Sequence, residues 1–161
     1  MKRFRMWVSA IAASAALLAG CGGGAEPKKP AAAPAKKRPA VADETHRFPA
    51  EGRIDAKVVE DHVLGREFLP GGNVARYRRG KQEFEMFLIR TKVPEAAALL
   101  LFDYKKRMEN PKLVAHFGGY YGKDGDRMVF VFAKGAWLAG VAGLPEKDAD
   151  MAARELAARL N

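Results

Sequence analysis

The 161-residue chain has few of the residues that most often carry covalent and metal chemistry. Its one cysteine, Cys21, excludes an internal disulfide and any zinc or iron–sulfur site built from several cysteines. Its serines are Ser9 and Ser14, so a serine-based catalytic triad is excluded from the chain beyond residue 14. None of the three histidines has a second histidine or a carboxylate at the spacing of a metal site. The sequence therefore predicts neither a metal nor a cofactor.

The charge of the chain is basic but unevenly distributed. There are 28 Lys+Arg against 19 Asp+Glu, a formal net charge of +9. Residues 1–20 carry three of the cations and no acid, and residues 21–47 carry six cations and three acids. This leaves 19 cations and 16 acids, a net charge of +3, for residues 48–161. A nearly balanced domain gives little reason to expect nucleic acid as a partner.

The first twenty residues predict a signal peptide. Lys2, Arg3 and Arg5 form a positive start, and residues 6–18 form an apolar stretch. As a helix, this stretch would span about 20 Å, which is shorter than the roughly 30 Å hydrocarbon core of a bilayer. A cleaved segment is therefore favoured over a helix that crosses the membrane.

The end of this stretch, Leu18-Ala19-Gly20-Cys21, resembles the lipobox of bacterial lipoproteins. In that family the cysteine thiol receives a diacylglyceryl group, cleavage makes the cysteine the first residue, and acyl chains such as palmitate anchor it. The resemblance implies that the membrane is a partner through Cys21 and that the protein faces the periplasm in the cell envelope. By resemblance to the sorting rules of enteric bacteria, Gly22 after the cysteine implies the outer rather than the inner membrane. The alternative is an ordinary secretion signal that happens to precede a cysteine.

Residues 21–47 predict the lipid-anchored cysteine followed by a disordered tether. Between residues 27 and 39 there are four prolines and five Lys or Arg, and the other four residues are alanine. A segment of this composition cannot bury enough apolar area to offset its chain entropy, and it acts as a spacer.

Residues 48–161 predict one small α+β domain. Strand-like runs around Gly80-Lys81 and Lys134-Gly135 indicate hairpins, and residues 113–121 indicate one further strand. The predicted order is β-β-α-β-β-β-α, an antiparallel sheet of about five strands with two helices packed on one face. An alternative adds a strand in front, over residues 57–64.

Two details refine this prediction of the fold. A helix is predicted to begin at Pro94 and to end before Asn110-Pro111. In the run over residues 82–90, Phe87 and Ile89 break the alternation of apolar and polar side chains. Both faces of the sheet are therefore expected to be covered at that end of the strand.

Two surface features are candidate sites. The first hairpin carries four cations that could hold an anion, or that could keep an edge strand soluble: Arg76, Arg78, Arg79 and Lys81. Tyr120 and Tyr121 follow a glycine pair, where they could form a contact surface or pack under a helix at a bulge.

The segment over residues 61–160 resembles a family of bacterial envelope proteins known only as a domain of unknown function. The matching pieces are residues 64–72, the helix start with Glu95 and Ala96 together with Phe102, the run Gly118-Gly119-Tyr120, and residues 132–141. The resemblance implies a secreted or lipid-anchored α+β domain and supplies no catalytic residue.

These observations predict a lipid-anchored cell-envelope protein that acts as a non-catalytic binding or interaction module. Its partner would be an envelope protein or polymer that the sequence does not identify. One alternative is a periplasmic enzyme whose carboxylate and histidine site assembles only in three dimensions. Another is a binder of anionic envelope polymer through residues 76–81.

Overall fold

The computed structural model describes residues 40–161, and the predicted signal peptide, Cys21 and the first part of the predicted tether lie outside them. The strands are β1 (Arg53–Asp61), β2 (Pro70–Arg79), β3 (Gln82–Arg90), β4 (Glu109–Val114), β5 (Gly119–Asp124), β6 (Arg127–Lys134) and β7 (Trp137–Ala142). The helices are α1 (Pro94–Arg107) and α2 (Glu146–Ala157), with short 3-10 turns at Thr45–Arg47 and Val63–Gly65.

The strands form one antiparallel sheet in the order β1-β2-β3-β7-β6-β5-β4. Helix α1 connects β3 to β4, and the strands β4 to β7 then form a meander that returns to pair with β3. The predicted antiparallel α+β domain is confirmed. The predicted number of about five strands is wrong, because the described residues form seven. One of the added strands is β1, close to the alternative strand in front of the first hairpin.

The two helices cover opposite faces of the sheet, so the prediction that both pack on one face is wrong. Leu101 of α1 belongs to the buried cluster that contains Phe87 of β3. Leu156 of α2 belongs to a second cluster that contains Met86. Met86 and Phe87 are consecutive in β3, and successive side chains of a strand point to opposite faces.

Both faces need a cover because the central strands are apolar on both sides. In β6, Val131 packs in the α1 cluster and Phe132 in the α2 cluster. Phe87 and Ile89 lie on the α1 side and are fully buried. The prediction of coverage on both faces at this end of β3 is therefore confirmed.

Gly140 of β7 allows the ring of Phe87 in β3 to pack closely against the backbone of β7. A Cβ at Gly140 of β7 would lie 2.4 Å from the carbonyl oxygen of Phe130 and 2.5 Å from the ring of Phe87. Real Cβ atoms do not approach other atoms so closely. Glycine is therefore required where the ring of Phe87 lies against the backbone of β7.

Residues 113–121, predicted as one strand, contain a turn between β4 and β5. The N–H of Phe117 donates to the carbonyl of Val114 at 3.0 Å, and Gly118 has a φ of 62°. The turn brings Phe117 to α2, where the guanidinium of Arg154 lies 5.7 Å from its ring centroid. The same turn presents His116 to α2.

The predicted helix from Pro94 to before Asn110 is confirmed as α1, and its last turn carries Lys105, Lys106 and Arg107. Asn110 has a φ of 51°, which a helix does not tolerate, and the chain continues into β4. Within residues 40–161, no helix is long and apolar enough to cross a membrane.

The folded part begins before Phe48, whereas the tether was predicted to extend to residue 47. Glu44 is only 5% exposed and accepts hydrogen bonds from Arg47 at 2.8 Å and Arg90 at 2.7 Å. Both guanidiniums also lie over the ring of Trp137, at 4.9 and 5.4 Å. Burial opposes ionisation of Glu44, but the two arginines more than offset it and lower its pKa.

Candidate functional site

A concave surface lies at the start of α2, and we call it the α2 groove. It has a volume of about 690 Å³ and forms where the β2–β3 hairpin, the β5–β6 hairpin and the connection from β7 to α2 meet. Its apolar floor consists of Tyr121, Met128, Leu144 and Pro145. Its polar rim carries three carboxylates, those of Glu83, Asp126 and Glu146, together with Gln82 and Arg127.

The floor of the α2 groove is held in place by Tyr121. This residue is 8% exposed, and its hydroxyl donates to the backbone carbonyl of Leu144 at 3.0 Å. Burial raises the pKa of Tyr121, so the hydroxyl stays protonated as a donor. The bond ties β5 to the segment that leads into α2, and it gives the groove a preformed base.

Two of the three rim carboxylates are already paired with cations. Glu83 accepts from Arg78 at 2.9 Å, and Glu146 accepts from Lys112 at 2.7 Å. These pairs are exposed, so they contribute little stability and can open for a ligand. The groove thus combines a fixed apolar floor with a rim whose ion pairs can open to bind polar groups of a ligand.

A smaller pocket adjoins the α2 groove at Glu146, and we call it the side pocket. It has a volume of about 360 Å³ and is lined by Val114, His116, Glu146, Lys147 and Asp150. Glu146 lines both cavities, so a ligand that is longer than the groove would extend towards His116.

In the side pocket, Nε2 of His116 lies 2.6 Å from Oδ1 of Asp150. The other oxygen of Asp150 accepts from Nε of Arg154 at 2.8 Å. Burial opposes ionisation of Asp150, but the hydrogen bonds from Arg154 and His116 more than offset this effect and lower its pKa. The carboxylate is therefore ionised at neutral pH, and it orients the imidazole.

The position of Thr91 bears on what the pair of His116 and Asp150 can do. Thr91 is the one Ser or Thr hydroxyl beyond residue 45, and it follows β3, which three strands separate from β4. Its Oγ1 lies within hydrogen-bond distance of the carbonyls of Val93 and Ala136. A Ser or Thr hydroxyl is therefore excluded as a nucleophile at the side pocket.

The structure places the four hairpin cations in different surroundings. Nε of Arg76 donates to Asp55 at 3.0 Å, and Arg78 pairs with Glu83. Arg79 lies 5.8 Å from the ring centroid of Phe84, and Lys81 is exposed at the turn. Among residues 40–161, neither of these last two cations has an ion-pair partner, so they form the unmatched charge of the hairpin.

Tyr120 and Tyr121 do not form one contact surface. They are consecutive in β5, so their rings lie on opposite faces of the sheet. Tyr121 belongs to the cluster under α2, whereas Tyr120 packs beside the α1 cluster with Nζ of Lys105 4.8 Å from its ring centroid. Of the two predicted contact residues, only Tyr121 lines the α2 groove.

The sequence did not indicate a buried polar cluster on the α1 side. Asp124, which is 8% exposed, accepts from the hydroxyl of Tyr104 at 2.7 Å and from Nε of Arg66 at 3.0 Å. A second nitrogen of Arg66 donates to the carbonyl of Asp124 at 2.9 Å. The hydrogen bonds connect the loop before β2, helix α1 and the β5–β6 turn, so the cluster stabilises the fold.

The other two histidines lie away from both cavities. His62 has a φ of 57°, and its ring contacts the adjacent Asp61 at 3.6 Å. His46 is exposed in the turn before β1, 3.9 Å from Glu44. Within residues 40–161, no group of three or more His, Cys, Asp or Glu side chains is placed to hold a metal ion.

Comparison with protein-family models, curated proteins and solved structures gives no match. What the protein does is therefore inferred from its own residues. The residues of the α2 groove and of the side pocket come from distant parts of the chain and line concave surfaces.

Proposed function

We propose that the protein is a lipid-anchored binding module of the cell envelope that holds its partner in the α2 groove. The observation that carries the proposal is the preformed apolar floor of Tyr121, Met128, Leu144 and Pro145. Ligand sites are typically concave and mostly apolar, with a few polar groups that fix orientation. The α2 groove has this composition.

The shape and the rim of the groove favour an extended partner. Three different connections border the groove, and the side pocket continues it beyond Glu146. The partner would be a protruding loop or terminal segment of an envelope protein, or a linear polymer with apolar groups. Its apolar groups would cover the floor, and its polar groups would replace one member of each ion pair on the rim. Exposed pairs of this kind give specificity at little cost.

Photo-cross-linking in the intact envelope tests the groove as a binding site. A photo-reactive amino acid at Gln82, which lines the groove, is expected to capture a distinct envelope component. The same amino acid at Lys134, beside the turn of the β6–β7 hairpin, serves as the control. Capture at Lys134 but not at Gln82, or the same products from both, would contradict the proposal.

The anchor rests on Cys21, which lies outside the described residues, and on the lipobox resemblance. Two or three acyl chains give stable attachment, because each buried methylene contributes about 0.8 kcal/mol. We expect the Cys21→Ser variant to lose acylation and to accumulate as an unprocessed or released form. The measurement is intact mass together with membrane fractionation, and processing and location identical to wild type would refute lipidation.

The contact between His116 and Asp150 favours a second candidate function, a hydrolase that acts at the side pocket. An imidazole held by an ionised carboxylate can act as a general base towards water. Purified protein incubated with isolated envelope material would then release products that the His116→Ala variant does not release. Identical product profiles by mass spectrometry would exclude this function and leave binding as the role of the cavity.

A further inference from the structure

The two edges of the sheet differ in how open they are to another strand. The edge strand β4 has six residues and contains Pro111, which cannot donate a backbone hydrogen bond. Its pairing with β5 is irregular between Glu109 and Lys112, and Asn110 has a positive φ. These features protect an edge from further pairing.

The opposite edge strand, β1, is less protected, because its one register shift against β2 lies at its start, between Arg53 and Asp55. It has nine residues and no proline, and its register with β2 is regular from Asp55 to Asp61. Among the described residues, β2 is its only strand partner. Val58 is 37% exposed on it, although its side chain is apolar. A long, regular and partly apolar edge is a template for a further strand.

The order of charges along β1 shows which strand fits it. Lys57 lies at the centre of β1, and Glu60 and Asp61 lie at its end. In an antiparallel pair of two β1 strands, the register that places Lys57 opposite Asp61 of the second copy forms this contact twice. The same register places Val59 opposite Val59, on the two-fold axis, and all three residues share one face of the sheet.

We propose that two copies of this chain associate through antiparallel pairing of their β1 strands, which makes one continuous sheet. Such a contact is isologous and closes after two copies, because β4 does not accept a further strand. The charge pattern is self-complementary, so a second copy of this chain forms the contact between Lys57 and Asp61 twice. The proposal does not depend on the α2 groove.

Single cysteines in the full-length protein test this pairing in the intact envelope under mild oxidation. The Val59→Cys variant is expected to form a disulfide-linked dimer, because directly opposed Cα atoms of an antiparallel pair lie about 4.5–5.5 Å apart, within the range of a disulfide. The Leu113→Cys variant on β4 is the matched control, since its side chain is 57% exposed on the other edge. Wild type, with Cys21 alone, gives the background.

Charge variants in the Val59→Cys background test the register. Lys57→Glu places like charges opposite each other twice and should lower the yield of dimer about tenfold. Adding Asp61→Lys restores opposite charges and should restore the yield, and thermal melting of each variant checks that it is folded.

Three results would overturn the proposal. These are a dimer yield for Val59→Cys at the wild-type background, an equal yield for Leu113→Cys, and a cross-linked product whose mass is not that of two copies.

Discussion

Removing the hydroxyl of Tyr104 tests whether the polar cluster around Asp124 stabilises the domain. Tyr104 is fully buried, and its hydroxyl donates to the Asp124 carboxylate at 2.7 Å. Burial and the hydrogen bond to Asp124 both raise the pKa of Tyr104, so the group remains a donor at neutral pH. Tyr104→Phe keeps the ring, and it leaves Asp124 with its bonds from Arg66.

The size of the effect follows from the charge on the acceptor. A hydrogen bond to a charged group contributes about 1.5–3 kcal/mol to stability, against about 0.5–1.5 kcal/mol for a neutral pair. Because Arg66 still neutralises Asp124, we expect Tyr104→Phe to lower the free energy of unfolding by about 2 kcal/mol. For a domain of this size, that loss lowers Tm by roughly 6–10 °C.

Tyr77 provides a matched control for this variant. It is also buried, at 1% exposure, but its hydroxyl donates at 2.8 Å to the neutral backbone carbonyl of Pro49. Tyr77→Phe should cost about 1 kcal/mol. Urea unfolding of both variants, followed by the fluorescence of Trp137, gives the two values. A loss for Tyr104→Phe that is no larger than for Tyr77→Phe would refute the assigned role of the Asp124 cluster.

Two further perturbations have outcomes set by the structure. Gly140→Ala should lower the free energy of unfolding by roughly 3 kcal/mol or more, because its Cβ would overlap the carbonyl of Phe130, whereas Gly135→Ala at an open turn should cost about 1 kcal/mol. Equal denaturation midpoints for the two variants would contradict this. The pKa of Asp150 is lower in the folded protein than its ordinary value of 3.8. The ionised carboxylate therefore contributes its full stabilisation above pH 3.8, and this stabilisation is lost as the pH falls through the pKa of the folded state. Asp150→Asn should therefore be less stable than wild type at pH 7 and should converge with it at low pH, and a stability difference that is the same at both pH values would exclude this linkage.

The central sheet was predictable because hairpin turns and apolar runs are local signals. The arrangement of the helices was predictable in principle from the same strands. Phe87 and Ile89 indicated a buried second face, and consecutive apolar residues in β6 such as Val131 and Phe132 carry the same signal. The prediction that both helices pack on one face followed the alternation of apolar and polar residues at the start of β3. The strands at the centre of the sheet are apolar on both faces, and they require a helix on each side.

The ends of the elements were less predictable because they depend on contacts between distant residues. Residues 113–121 read as one strand, but the backbone reverses between Val114 and Gly119 and brings Phe117 against α2. Similarly, Glu44 in the predicted tether becomes ordered through Arg90, which lies 46 residues away. Neither of these interactions can be predicted from the secondary-structure propensities of neighbouring residues.

The candidate site was accessible only in part from the sequence. Tyr121 was singled out from the sequence, and it lines the α2 groove. It does not form one surface with Tyr120, because successive side chains of β5 point to opposite faces of the sheet. His116 and Asp150 are 34 residues apart, in a turn and a helix, so no spacing rule connects them. The hairpin cations were visible in the sequence, and so was Glu83, which the hairpin register places opposite Arg78. The partner of Arg76 is Asp55 of β1, a strand that was predicted only as an alternative.

Filling the α2 groove tests the central claim most directly. A photo-reactive amino acid at Asp126 on the rim reports capture of an envelope component, and Gln82→Trp in the same chain places a large ring in the groove. If the groove holds the partner, capture from Asp126 should fall at least about tenfold in the Gln82→Trp variant while its Tm stays near wild type. Undiminished capture by a folded Gln82→Trp protein would contradict the claim that the groove is the binding site.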